Sequence, residues 1–338
     1  MKIGMLGTIS WRTPPRYYGP WETVVHNLTE GLVSRGYDVT LFATGDSVTS
    51  AKLDWVCPRG FYEDETLDAG VYQWLHISNA FEKAHQFDIL HSHYDFYPLT
   101  FSRFTDTPLL TTVHGFSSER ILPVYKKYWD NYYVSISDAD RAEGLNYLAT
   151  VYNGIDVESF EYSDTAEDYL LFFGRVSHDK GTHRAIDVAK QTGLTLKIAG
   201  LVASEHRAYF ERYVKPEIDG KQIQFLGMVD EQTKNELFKN AYCTLHLISF
   251  AEPFGLTMVE SMACGCPVIA TNKGSVPELI ADGKTGFIVD NVKEAADRVG
   301  RIDDIKRQDC RRHAYRFDLD HMVEGYIKVY DTIMERQA

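Results

Sequence analysis

The sequence predicts an α/β protein with two facing, Rossmann-like, doubly wound domains. Short apolar runs typical of buried strands alternate with amphipathic stretches typical of helices, and this alternation indicates parallel sheets covered on both faces. One series runs from Lys2 to Tyr152, and a second begins at Tyr169. The acidic segment EYSDTAED between them has the composition of a linker. The length of 338 residues also favours two domains over one.

The first series opens with a predicted buried strand at 2–7 and a loop rich in Pro, Gly and Tyr. A helix is expected at 21–34, and Gly36 lies just past its end, where glycine commonly terminates helices. The apolar residues on one face of this helix are Val24, Leu28 and Leu32. Further strands of the series are predicted at 39–43, 88–92, 109–113, 132–136 and 150–152.

The second series repeats the same pattern in the C-terminal half of the chain. Near the C-terminus, Met322, Tyr326 and Tyr330 have helical spacing, which predicts a final helix. The strands of the second series are predicted at 169–173, 196–199, 223–225, 243–247 and 268–270.

Composition and charge exclude several classes of protein. Hydrophobic residues make up 44% and charged residues 25%, which is typical of a soluble globular protein. A net charge of -13 argues against nucleic acid as the main partner. The five cysteines are an odd number and fit no disulfide framework. No apolar run approaches the ~20 residues of a membrane span, and MKIGMLGTIS is unlike a signal peptide. We therefore expect a cytoplasmic protein.

The stretch at 249–289 contains the densest set of candidate site residues. Glu252 precedes Pro-Phe-Gly, and helical periodicity begins at Leu256. The backbone N–H groups of Phe254, Gly255 and Leu256 would then lie at the positive end of a helix dipole, which favours anion binding. Glu260 follows two turns along this helix. Taken singly, each glutamate would be an ordinary solvated acid.

Two cations follow the first predicted strand of the second series, in FFGRVSHDKG. Arg175 and Lys180 lie at the carboxyl end of that strand, and Gly181 opens the next helix. Cations beside a helix N-terminus can hold a diphosphate, because arginine grips phosphate oxygens in a fork and lysine acts as a point charge. The alternative is a pair of solvated loop cations.

Histidines follow two strands of the first series. His91 and His93 would lie on one face of the sheet, and no third metal ligand is indicated nearby. A structural histidine pair is the alternative. His114 directly follows the strand at 109–113, and a neutral imidazole there could donate or accept a hydrogen bond. Asp138-Ala-Asp140 precedes a helical pattern and is better interpreted as a cap than as a metal site.

The string EPFG, MACGCPVIA, GSVPELI and DGKTGF resembles the donor-sugar signature of retaining GT-B glycosyltransferases, specifically glycosyltransferase family four (glycosyl transferases group 1). GRVSHDKG, DILHSHYD and TTVHGFS are similar to further segments of that family. PPRYYGPWE resembles its loop near the donor phosphates, but Pro20 replaces the second glycine and has no N–H to offer. The resemblance extends over essentially the full chain.

The resemblance implies a GT-B fold and a division of roles along the chain. Residues 1–160 would form the acceptor-side domain and residues 161–315 the nucleotide-sugar domain. Residues 316–338 would form a helix that crosses back onto the N-terminal domain. The variable loops at 46–68 and 116–128 would decide which acceptor is taken.

The resemblance also implies a role for each candidate residue. Arg175 and Lys180 would neutralise the leaving nucleoside diphosphate, Glu252 would hold the sugar, and Glu260 would hold the ribose. No metal and no other cofactor is expected. The implied catalytic residues are His114, Arg175, Lys180 and Glu252; the donor-binding residues are Gly19, Met228, Phe254, Gly255, Leu256 and Glu260; the acceptor-side residues are His91 and His93.

The predicted activity is retaining transfer of a hexose from a nucleotide sugar, such as UDP-glucose or GDP-mannose, to a soluble small molecule or saccharide. One alternative is a nucleotide-sugar-binding regulator without catalysis, for which Pro20 is the support. A lipid-acceptor enzyme at the membrane surface is a second alternative, disfavoured because acidic side chains outnumber basic ones in 1–160. An NAD-dependent oxidoreductase is disfavoured because GTISWR lacks the G-x-G-x-x-G turn.

Overall fold

The computed structural model describes residues 1–116 and 119–337. It divides into two compact units. The first unit comprises residues 1–154 and the C-terminal helix, and the second unit comprises Ile155–Asp318. Ser117 and Ser118, in the predicted acceptor loop, and Ala338, the last residue of the predicted third region, lie outside the described residues.

The first unit contains a parallel sheet of seven strands in the order β3-β2-β1-β4-β5-β6-β7. The strand order reverses between β1 and β4, as in doubly wound folds. β3 was not predicted; it is a three-residue edge strand with charged residues at both ends. The strands are β1 Lys2–Leu6, β2 Asp38–Phe42, β3 Lys52–Asp54, β4 Ile89–Ser92, β5 Leu109–Val113, β6 Tyr132–Ser135 and β7 Tyr147–Thr150.

In the described residues of the N-terminal part of the first unit, the helices are α1 Pro20–Ser34, α2 Ala69–Glu82 and α3 Leu122–Lys127. The apolar face predicted for α1 is confirmed, since Val24, Leu28 and Leu32 are all buried. The helix begins at Pro20, whose fixed φ suits the first helical position. It is followed by Gly36, which has a φ of 83° and bonds back to the carbonyl of Val33.

The second unit contains a parallel sheet of six strands in the order β10-β9-β8-β11-β12-β13. The order reverses between β8 and β11, so this unit is also doubly wound. The two parallel α/β sheets confirm the predicted fold class. β13 was not predicted as a strand. The strands are β8 Tyr169–Phe173, β9 Thr195–Ala199, β10 Ile223–Gly227, β11 Cys243–His246, β12 Val268–Thr271 and β13 Gly286–Val289.

Helices connect the strands of the second unit, and two of them begin close to the candidate site. α4 follows the loop after β8, and α7 follows the loop after β11. α10 packs on α7. The helices are α4 Thr182–Thr192, α5 Arg207–Tyr209, α6 Glu231–Asn240, α7 Leu256–Ala263, α8 Val276–Leu279, α9 Val292–Val299 and α10 Arg307–Ala314.

The last helix, α11 Leu319–Gln337, packs within the first unit against α1. The residues with predicted helical spacing, Met322, Tyr326 and Tyr330, are all buried. The chain enters the second unit at Ile155, six residues before the predicted boundary at 160/161. The reason is local pairing, because the Ile155 N–H donates to the Phe317 carbonyl at 3.0 Å inside the second unit. Within the described ranges, every helix is too short or too polar to cross a membrane.

Candidate functional site

Lys180 and Glu252 meet at the carboxyl end of the second sheet. Lys180 lies in the loop between β8 and α4, and Glu252 lies in the loop between β11 and α7. The Lys180 Nζ is 2.5 Å from the Glu252 Oε2. His246, the last residue of β11, brings its Nε2 to 3.3 Å from the same oxygen. The Lys180 and Glu252 side chains are only 20% and 10% exposed, so this ion pair is largely removed from water.

Glu252 is ionised in this environment. Burial alone would raise its pKa, but the attraction of Lys180 and the contact with His246 outweigh burial and lower the pKa to about 2. A carboxylate that stays charged at neutral pH accepts hydrogen bonds and does not donate a proton. His246 was not among the site residues predicted from the sequence. Its position, directly at the end of a buried strand, is the signal that could have identified it.

A turn after β12 holds the Glu252 loop in place. Gly274 has a φ of 55°, and a Cβ there would lie 2.3 Å from both the N and the O of Glu252. Ser275 donates its backbone N–H to the Glu252 carbonyl at 2.9 Å and its Oγ–H to the Phe254 carbonyl at 2.6 Å. The close approach therefore requires glycine at this position.

α7 begins at Leu256, as predicted, with Gly255 as its N-cap. Gly255 has a φ of 91° and offers no side chain as a cap. Its carbonyl accepts from the Met258 N–H at 3.0 Å, and the N–H groups of Leu256 and Thr257 have no partner within the helix. The Phe254 side chain is buried, with its ring 5.9 Å from that of Phe317. Phe254 can therefore serve a ligand only through its backbone.

Arg175 lies on the same loop as Lys180 and is one-third exposed. Its Nη2 is 3.1 Å from the Asp179 Oδ2. Burial would raise the Asp179 pKa, but the nearby Ser177 side chain and the charge of Arg175 lower it. The Ser249 N–H donates to the Asp179 carbonyl at 2.8 Å. This bond joins the loop of the two cations to the segment that leads into Glu252.

Gly181 allows the Lys180 loop to pack closely against Leu247, the residue that follows β11. Its φ is 75°, and a Cβ would lie 2.0 Å from the Leu247 carbonyl oxygen. The structure therefore brings Lys180, Glu252 and His246 into direct contact and fixes Arg175 on the loop beside them.

Glu260 has a different cation as its partner. Its Oε1 is 3.0 Å from the Lys234 Nζ, and both side chains are about nine-tenths buried. Lys234, on α6, also contacts Glu231 at 2.7 Å. Burial would lower the Lys234 pKa, but the two carboxylates raise it above its ordinary value. Lys234 is a further residue that the sequence analysis missed. Met228, which follows β10, is half exposed.

In the first unit, Gly19 lies directly before α1. A Cβ at this position would lie 2.8 Å from the Pro15 Cβ and 2.9 Å from the Glu22 Oε2. Glu22 is 3% exposed and accepts a hydrogen bond from the Thr8 Oγ at 2.5 Å. Burial raises the Glu22 pKa despite that bond. This buried acid beneath the first loop was not among the predicted site residues.

The three histidines lie together in the first unit. The His93 Nδ1 is 2.9 Å from the His114 Nε2, and the His114 ring stacks on Trp21 with centroids 5.2 Å apart. His91 bonds through Nδ1 to the Tyr330 hydroxyl at 2.7 Å and through Nε2 to the Thr112 hydroxyl at 2.8 Å. Burial lowers the pKa of His91 and of His114 to about 3, so both rings are neutral.

His91 and His93 are fully buried, whereas His114 retains 7% exposure. Both residues were predicted to lie on the acceptor side, with a structural histidine pair as the alternative. In the structure His91 bonds Tyr330 of α11, and His93 contacts His114. Among residues 1–116 and 119–337, no group of three His, Cys, Asp or Glu side chains is arranged to hold a metal ion.

Comparisons with known proteins cover nearly the whole chain. A family model described as Glycosyltransferase Family 4 matches residues 21–159, and one described as Glycosyl transferases group 1 matches residues 157–317. An uncharacterized glycosyltransferase of Methanocaldococcus jannaschii is 22% identical over 392 aligned positions, covering 99% of both chains.

Two solved structures show the same fold. Sucrose-phosphate synthase from Thermosynechococcus elongatus matches with a TM-score of 0.83 and 18% identity, covering 99% of both chains. HepE of Anabaena, solved in complex with UDP-glucose, matches with a TM-score of 0.76 and 19% identity, covering 98% of this chain and 100% of the other.

Proposed function

We propose, because this chain belongs to glycosyltransferase family four and has the GT-B fold, that it is a metal-independent, retaining hexosyltransferase. It takes a hexose from a nucleoside-diphosphate sugar and passes it to an acceptor hydroxyl. The observation that carries this proposal is the buried contact of Lys180 with Glu252 at the carboxyl end of the second sheet. Crevices at this end of a doubly wound sheet are where such folds bind nucleotides.

The two cations and α7 suit a leaving diphosphate. Negative charge grows on the phosphate oxygens as the bond from sugar to phosphate breaks, and fixed donors stabilise that charge. Lys180 supplies an ammonium group, and Arg175 supplies a guanidinium fork whose Nε is buried and has no hydrogen-bond partner among the described residues. The uncapped N-terminus of α7 adds backbone N–H groups.

Glu252 holds the sugar in this proposal and takes no proton. Its lowered pKa of about 2 keeps it a carboxylate, which can accept hydrogen bonds from two neighbouring hydroxyls. The acceptor oxygen then bonds to the anomeric carbon on the face from which the phosphate leaves. The acceptor's proton passes to a phosphate oxygen, so the configuration is retained. Glu260, held by Lys234, accepts from the ribose hydroxyls.

UDP-glucose is the first donor to test, because HepE was solved with that ligand. GDP-mannose is the second. Neutral saccharides and small polyols are the first acceptors. The protein is incubated with each donor and acceptor pair, and release of nucleoside diphosphate is measured. The anomeric configuration of the product, read by NMR, tests retention. A product of inverted configuration contradicts the proposed mechanism.

One observation favours a second candidate, a nucleotide-sugar-binding regulator without catalysis. Pro20 is the first residue of α1 and offers no N–H, so a ligand next to Gly19 has one donor fewer there. The same assay separates the two candidates. Nucleotide sugars that raise the melting temperature, with no diphosphate release under any acceptor condition, favour the regulator.

A further inference from the structure

His93 is fully buried in the first unit and contacts His114. Both follow strands of one parallel sheet, β4 and β5, and both are buried. Burial lowers the pKa of His93 well below its ordinary value, and the neighbouring histidines lower it further. With the His114 pKa at about 3, both rings are neutral and each carries one ring hydrogen.

The contact between these two rings requires one donor and one acceptor. The His93 Nδ1 and the His114 Nε2 are 2.9 Å apart, so the shared hydrogen belongs to one of these two nitrogens. The nitrogen that carries this hydrogen determines the tautomer of both rings, because each neutral imidazole has a single N–H.

The other nitrogen of His93 decides between the two arrangements. Its Nε2 is buried, and no group in the described part of the chain bonds it. In protein interiors a buried N–H without an acceptor is rarer than a buried acceptor without a donor. His93 is therefore unprotonated at Nε2 and carries its hydrogen on Nδ1. It donates to the His114 Nε2, which leaves the His114 hydrogen on Nδ1.

We infer that His93 is a positioning residue that holds His114 in the Nδ1–H tautomer. His91 does not impose this choice, since its two nitrogens meet the hydroxyls of Tyr330 and Thr112, and a hydroxyl can donate or accept. His114 thus presents a fixed donor at Nδ1. The hydrogen-bond acceptor for this N–H would be an uncharged or anionic oxygen of the donor substrate. This assignment of the acceptor rests on the proposed function.

The tautomer can be read directly by NMR. Long-range proton–nitrogen correlations of the ¹⁵N-histidine-labelled protein distinguish the two neutral tautomers, and His114→Asn assigns the signals. We expect Nδ1–H on His114 in the wild type without any substrate. An Nε2–H signal, or a doubly protonated ring at neutral pH, overturns the inference. This NMR readout does not depend on activity. If the protein shows no transferase activity, that result contradicts the proposed function but not the tautomer assignment.

Variants of His93 test its role. In His93→Asn the amide nitrogen takes the place of Nδ1 and keeps a donor, so the His114 tautomer should persist. His93→Leu removes the donor, and His114 should lose the preference for Nδ1–H. The kcat of the His93→Leu enzyme should fall about tenfold, which corresponds to the free energy of one hydrogen bond. Its KM for the donor should change little. His93→Asn should recover most of that loss.

Tyr326→Phe is the matched control. It removes a buried hydroxyl that bonds the Thr112 Oγ at 2.9 Å, without touching the contact between His93 and His114. We expect a lower melting temperature and an unchanged His114 tautomer. If His93→Leu leaves the His114 tautomer unchanged, His93 does not set it and the inference fails.

Discussion

Lys180 and Glu252 are 72 positions apart in the chain, yet their charged groups are 2.5 Å apart. Breaking a buried ion pair by removing one partner leaves a charge without compensation, which costs more than the pair itself contributes. The pair also keeps an ammonium group where a diphosphate would gain charge. Its placement therefore affects both the stability of the second unit and the proposed chemistry.

Glu252→Gln tests the electrostatics of this pair through pH. The folded-state pKa of Glu252 is about 2, below its ordinary 4.5, so its stabilising contribution is complete above pH 4.5 and is lost as pH falls towards 2. The shift corresponds to ~3 kcal/mol at neutral pH. We expect the wild type to melt higher than Glu252→Gln at pH 6, with the gap shrinking below pH 4.5.

The control for that experiment is Glu217→Gln, which removes an exposed partner of Lys190. Exposed pairs contribute ~0–1 kcal/mol. This variant should melt close to the wild type across the same range. A Glu252→Gln gap that stays constant from pH 6 to pH 3 would show that Glu252 is not held as a carboxylate by its neighbours.

At the scale of elements, the turn after β12 shapes the Glu252 loop. Gly274→Ala would place a methyl group 2.3 Å from backbone atoms, which cannot rotate away as a side chain can. We expect the loop to shift, nucleoside diphosphate release to fall at least tenfold, and stability to drop by ~1–3 kcal/mol. Melting temperature and release rate measure the two effects.

Gly283→Ala is the matched control, since Gly283 also has a positive φ, 71°, but nothing lies within 4 Å of the added Cβ. It should show only the backbone penalty of ~1–2 kcal/mol and full activity. Equal losses of activity in both variants would mean that the close approach of Gly274 to Glu252 does not matter.

The contact of α1 with α11 sets the position of the last helix within the first unit. A Cβ on Gly31 would lie 2.4 Å from the Val323 Cγ2. Gly31→Ala should therefore destabilise by ~1–3 kcal/mol through overpacking, although alanine is the better helix former. Combining it with Val323→Ala should relieve the clash.

The coupling free energy between these positions is measured by urea unfolding of the wild type, the two single variants and the double variant. We expect the double variant to lose less unfolding free energy than the two single variants lose in total. Strict additivity would contradict the close packing of the two helices.

For the whole molecule, the sequence predicted the two doubly wound sheets because buried parallel strands are continuous apolar runs. It missed β3, whose Lys52–Asp54 has no such run and lies at the sheet edge. The motifs also identified Lys180 and Glu252, because each follows a recognisable strand. The predicted start of α7 at Leu256 matches the structure.

The roles of Lys234 and Ser275 could not be predicted, since they depend on contacts between distant segments. Lys234 meets Glu260 across 26 positions, and Ser275 bonds the Phe254 carbonyl across 21. Spacing along the chain also could not show that His91 and His93 are covered by other elements, because burial follows from packing. These residues became visible only with the tertiary contacts.

The rate of nucleoside diphosphate release by Lys180→Ala is the most direct test of the account. Loss of one preorganised donor to the leaving group typically costs ~2.7–4 kcal/mol, so kcat should fall ~100- to 1,000-fold. Lys190→Ala, which removes an exposed lysine on α4, is the control and should keep wild-type kcat. Near-normal turnover by a folded Lys180→Ala protein would contradict the assignment of the leaving diphosphate to this site.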